Sequence, residues 1–135
     1  MIRRRAALAV LPLLLSPLAR AAEAGDRIST ETRVQLQAAM QLQIDRSTVA
    51  GSYPVVDLGT GRLRNLHPAA GHPMMLRLGE AFVLCADFRD DAGVPVNVDF
   101  YLARRQGRFA VFQVEIANRG PLDALLKSGV ARMLE

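Results

Sequence analysis

The pattern of apolar and polar positions is clearest between Glu80 and Ile116, where apolar residues recur at every second position in three successive runs. Strands send alternate side chains to opposite faces of a sheet, so this spacing predicts half-buried strands. The first run puts Phe82, Leu84, Ala86 and Phe88 on one face, and the second puts Val94, Val96, Val98, Phe100 and Leu102 there. The third adds Ala110, Phe112, Val114 and Ile116. Val and Phe suit such pleated positions. Asp91-Ala92-Gly93 and Arg105-Gln106-Gly107 each read as a three-residue hairpin loop ending in a left-handed glycine.

Those loops set a register. Asp90 opposite Val94 aligns Phe88 with Val96, Ala86 with Val98 and Leu84 with Phe100. Arg104 opposite Arg108 aligns Phe100 with Phe112, Val98 with Val114 and Val96 with Ile116. A one-residue slip would set polar groups against the core, so the register is well specified. The opposite face then carries three rows: Val83, Tyr101 and Val111; Cys85, Asp99 and Gln113; Asp87, Asn97 and Glu115. One reading of these rows is a solvated outer face, common in antiparallel sheets. Another is a polar or cation-binding patch, since carboxylates gather there with few bases. A third is a face covered by the C-terminal helix, with Cys85 buried and inert.

Upstream, Gln35 to Asp45 alternates apolar residues with glutamine, as a strand would, but its length and its Gln, Ala, Leu and Met content favour a helix. Ser29 or Thr30 caps it, and it ends before Gly51. Leu36, Ala39, Met40, Ile44 and Ser47 share one helical stripe. Tyr53–Leu58 and Arg62–Leu66 flank Gly59-Thr60-Gly61 and read as a hairpin. Residues 67–73 read as a Pro- and Gly-rich loop, and Met74 to Leu78 as a short strand or extended approach. Pro121 starts a short helix with Leu122, Leu125 and Leu126, closed by Gly129. Val130, Met133 and Leu134 then tuck back onto the sheet. The expected fold is α+β: an N-terminal helix on an antiparallel sheet of four to five strands, hairpin then three-strand meander, and a short C-terminal helix.

Composition sharpens the organisation. The 135 residues fit one domain and are half hydrophobic. Residues 1–21 combine Arg3, Arg4 and Arg5, an apolar run from Ala6 to Leu15, and small residues at A-x-A positions. That is the build of a secretory signal peptide, cleaved near Ala21 or Ala24. Residues 22–28 read as a flexible lead-in and 29–135 as a single α+β domain. The whole chain is net +4, but the first 21 residues hold four arginines and no acid. From Ala22 onward 13 bases meet 13 acids. Overall basicity is therefore no argument for nucleic acid, and none is expected as a partner.

Candidate chemistry is sparse. Cys85 is the only cysteine, so no internal disulfide forms. His67 and His72 both precede prolines in the loop. With a carboxylate or Cys85 they match metal ligands by type, but not by a strong zinc spacing. A histidine paired with Cys85 lacks an evident oxyanion site.

The segments QLQAAMQLQID, HPMM, FVLCADFRDDAG and VNVDFYLARR resemble small exported bacterial proteins of unassigned activity. The helix-plus-meander order also resembles cystatin-like and PepSY-like architectures. That resemblance implies inhibitors, binding modules or enzymes alike, so it selects no activity. Gln113-Val114-Glu115 comes nearest to the cystatin QxVxG loop but lacks its glycine, and no inhibitory residue carries over.

The sequence therefore points to a small periplasmic or secreted binding or interaction module, with no cofactor and no catalytic residue assigned. A protein partner or a homodimer is expected, and no membrane after signal cleavage. The candidate interaction face is Cys85, Asp87, Asn97, Asp99, Tyr101, Gln113 and Glu115, and the candidate loop holds His67 and His72. The alternative is an enzyme or metal-binding protein using that loop and the acidic outer face.

Overall fold

A computed structural model describes residues 27–135. The expected signal peptide and most of the lead-in lie outside the described residues. Among the described residues the fold is α+β, with two helices and an antiparallel sheet of seven strands rather than four to five.

Helix α1 spans Thr30–Ser47, and Ser29 caps it by accepting from the Thr32 N–H at 3.0 Å. Leu36, Met40 and Ile44 are its buried residues, on the stripe expected from sequence. A left-handed turn at Ala50 and Gly51 leads to β1 (Tyr53–Asp57) and β2 (Arg62–Pro68). Asp57 Oδ1 organises their loop by accepting from the Gly59 N–H at 2.8 Å. Strand β2 runs on through His67 and Pro68, which pair with Arg89 and Phe88. The loop thus begins at Ala69, not at His67; Pro68 is accommodated as the last strand residue.

Strand β3 (Met74–Leu78) turns through Gly79-Glu80 into β4 (Ala81–Arg89), followed by β5 (Pro95–Arg105) and β6 (Arg108–Ile116). Strand β4 is the hub of the sheet. It pairs with β5 on one side, and on the other with β3 and, at its last two positions, β2. Helix α2 (Gly120–Lys127) and strand β7 (Ala131–Met133) close the chain, with β7 paired to β3.

The β4–β5 register matches the sequence reading: Phe88 faces Val96, Ala86 faces Val98 and Leu84 faces Phe100. Asp90 fixes that hairpin by accepting from the Val94 and Ala92 N–H groups at 2.9 and 3.0 Å. These bonds, with Arg64, hold its carboxyl below the usual range. Val94 itself precedes β5 and is exposed, not part of the core.

The β5–β6 register differs. Arg105 pairs with Arg108, so the loop is only Gln106-Gly107, both with positive φ. A bulge at Phe112 then shifts the ladder again, so that Tyr101 faces Gln113, Phe100 faces Val114 and Val98 faces Ile116. A bulge adds one unpaired residue to one strand. The two-residue turn points Phe109 and Val111 to the core in place of Ala110 and Phe112, which is 52% exposed, and the bulge returns Val114 and Ile116 to the core side.

Two apolar clusters result. The larger lies between α1 and the sheet and includes Leu36, Met40, Leu84, Phe88, Val98, Phe100 and Leu102. The smaller lies on the other face beneath α2 and contains Leu76, Val83, Cys85, Leu122 and Ala131.

Candidate functional site

Strand alternation and the observed register place the polar residues of the outer face. The rows are Val83, Tyr101 and Gln113, then Cys85, Asp99 and Glu115, with Asp87 opposite Asn97. Gln113 and Glu115 each sit one row from where the simpler register put them, and Val111 is on the core side. The causes are the two-residue turn, which by itself sets Val111 on the core side, and the bulge; each moves the pairing by one position. Beyond Asn97 the row ends on backbone, where Ala117 N–H donates to the Asn97 carbonyl at 2.8 Å.

Helix α2 divides this face. Cys85 and Asp99 are buried beneath it, whereas Asp87 and Gln113 are exposed and Asn97, Tyr101 and Glu115 are half-buried. Asp99 is 1% exposed and ion-paired: Arg119 Nη2 donates to Oδ1 at 2.6 Å and Nε to Oδ2 at 3.2 Å. This fork geometry is among the stronger protein hydrogen-bond pairs. The bonds to Asp99 hold the Arg119 guanidinium above its usual range. Arg119 precedes α2, so the pair fastens the start of that helix to the sheet.

Cys85 lies beside the pair. Burial first, then the Asp99 charge and its hydrogen bond, push the thiol up from 9.0 to about 12. The thiolate is the nucleophilic and metal-binding form. A thiol so placed stays protonated at neutral pH and acts as a small packed group. Beyond α2, Glu115 accepts from Gln113 at 2.7 Å and from Asn118 at 3.0 Å. Both bonds hold its carboxyl below the usual range. Burial, then the charges of Asp99 and Glu115, raise the Tyr101 phenol. Its ring meets the Phe112 ring edge-on, with centroids 6.5 Å apart.

Of the two histidines, His67 stands apart from these groups and His72 does not. His67 Nε2 lies 2.8 Å from Asp91 Oδ1, at the β4–β5 hairpin. His72 lines a slot of about 120 Å³ together with Cys85 and Asp87, and with Met40, Ile44 and Phe88. Among the described residues, no group of three or more His, Cys, Asp or Glu side chains is placed to hold a metal ion.

Sequence reasoning missed Arg119 and Phe112. Arg119 lies 20 positions from Asp99 inside what reads as a plain turn, and no local spacing signals the pair. Phe112 fits the alternating pattern, and the unexpected two-residue turn at Gln106-Gly107 turns it outward. Among the described residues no helix is long and apolar enough to cross a membrane. No family model, curated protein or solved structure matches the chain.

Proposed function

We propose that the protein is a small exported binding module that works through the open margin of the outer sheet face. The reading is carried by one observation: the reactive-type groups there are committed to internal contacts, while apolar rings beside them stay open. Cys85 is buried and Asp99 is paired with Arg119. Phe112, against Tyr101, is exposed next to Gln113 and Glu115. An aromatic contact beside carboxylates suits a partner, or a second copy of the chain, that presents a basic side chain and an apolar one. The pattern of residues 1–21 supports the periplasm or the exterior as its place of work.

The test replaces Phe112 with a photo-crosslinking residue in cells of the source organism, with Arg46 on the far side as control. A single discrete adduct at 112 and none at 46 supports the reading, and its mass separates a homodimer from another partner. Equal adducts at both positions, or none at either, refute it. Intact mass of the exported fraction checks the cleavage near Ala21 or Ala24.

A further inference from the structure

A second surface lies elsewhere, at the β5–β6 hairpin and the adjoining side of α1. Arg104, Arg105 and Arg108 stand exposed around the Gln106-Gly107 turn. None of the three joins an ion pair among the described residues. Arg104 donates to the Gly107 carbonyl at 3.3 Å and stacks on Phe109, with its guanidinium carbon 4.4 Å from the ring centroid. Phe109 in turn meets Phe82 edge-on at 5.5 Å, and Arg77 stacks on Phe82 at 4.8 Å. Two phenylalanine rings in contact are thus flanked by arginines at this end of the sheet. The neighbouring carboxylates are Glu80, in the β3–β4 turn, and Glu31, which already accepts from Gln35 at 3.1 Å.

Beside the arginines runs an apolar groove of about 340 Å³, lined by Gln35, Ala38, Ala39, Leu42, Gly107, Arg108 and Phe109. Helix α1 carries no charged residue between Arg33 and Asp45. Its outward stripe shows Val34 and Leu42, 57% and 48% exposed, with Ala38 between them. Val34, Ala38 and Leu42 follow one another at four-residue spacing, so they lie along one line of the helix.

We infer that this surface docks on an anionic lipid bilayer, with arginines on headgroup phosphates and the α1 stripe at the acyl boundary. Arginine forks match phosphate geometry, and an apolar stripe flanked by cations is the make-up of interfacial elements. Nucleic acid fits less well. Base stacking needs an open aromatic face, and Arg104 and Arg77 already cover Phe109 and Phe82. The inference reverses the expectation that the mature chain stays off membranes. That expectation rested on removal of the signal peptide, and a mature chain balanced in total charge still concentrates cations at one end. It is independent of the outer-face reading, whose residues lie across the sheet.

The experiment is flotation of the mature protein with vesicles of phosphatidylglycerol in phosphatidylcholine, against phosphatidylcholine alone. Binding is expected only to the anionic vesicles, is lost as salt rises, and survives added inorganic phosphate. Each arginine neutralised weakens it about fivefold, so Arg105→Gln with Arg108→Gln costs about 25-fold. Leu42→Gln weakens it without changing the salt dependence. Phe112→Asp floats like the parent, which separates this surface from the outer face. All these positions are exposed, and an unchanged melting curve confirms that each variant is folded. Equal binding to neutral vesicles, no binding to either, indifference to the arginine pair or to Leu42→Gln, or binding to single-stranded DNA in place of vesicles overturns the inference.

Discussion

The two faces of the sheet are covered by helices in different ways. Under α1 the contact is wholly apolar, and Leu36, Leu84, Val98, Phe100 and Leu102 are fully enclosed. Under α2 the cluster is smaller, and an ion pair sits within it. Leu122 is the one buried side chain of α2, and Arg119 fastens the helix at its start. Apolar burial is shared among many residues and is non-directional. A buried charge pair is a single joint that fails when one partner goes. The first face should therefore weaken by degrees with the volume removed, and the second should fail at one position.

The largest effect expected is on the first face. Phe100→Ala should cost about 3–5 kcal/mol in denaturant unfolding, the range for enclosed aromatics. A cost below about 1 kcal/mol would mean that the side chain is exposed in solution. On the second face, Arg119→Ala should cost about 3 kcal/mol, because it strands the Asp99 carboxylate. Asp99→Ala should cost less, about 1–2 kcal/mol, since the Arg119 side chain is partly exposed and can turn to water. Equal costs for the two would break the contrast between a stranded and a released charge.

Amide exchange sharpens the comparison. The N–H groups of α2 and β7 should exchange before those of β4 and β5, and Arg119→Ala should widen that gap. Uniform exchange across the sheet and α2 would mean that the two faces open as one. Alkaline pH probes the same joint more gently. The Cys85 thiol titrates near 9.0 unperturbed and at about 12 in the fold. Its folded value is raised, so the stability it contributes is present below pH 9 and is lost as pH rises toward 12. Cys85→Ala should flatten that slope, and native Cys85 should resist thiol reagents until the chain unfolds. The smallest effect belongs to Phe112→Ser, within about 1 kcal/mol because the ring is half in solvent; a larger loss would give the ring a packing role.

The legible parts of this fold were those fixed by local chemistry. Ser29, Gly93 and Pro121 mark their caps and turns in the sequence, and the first hairpin has its expected register. The second hairpin escaped because Gln106 adopts a left-handed φ of 49°, which its side chain does not favour. A tight two-residue turn there was thus hidden, and the bulge beyond it has no local marker. Of the candidate site, the Cys85–Asp99 and Asp87–Asn97 neighbours were legible because they lie on the first hairpin. Gln113 and Glu115 were displaced because they lie beyond both the two-residue turn and the bulge, and Arg119 was hidden because its partner is distant in sequence.

The bulge at Phe112 also bears on how copies of this chain meet. Among the described residues strand β6 pairs only with β5, and β1 only with β2, so each has one edge with no strand beside it there. Such edges invite another strand to add on and grow a ribbon. Here the extra residue divides the β6 edge into two stretches that are out of phase. On β1, Pro54 has no N–H to offer. Strand β7 is only three residues long. An incoming strand thus meets an interrupted template at every margin of the sheet. Polymerisation by backbone pairing is discouraged, and recognition is left to side chains on the faces.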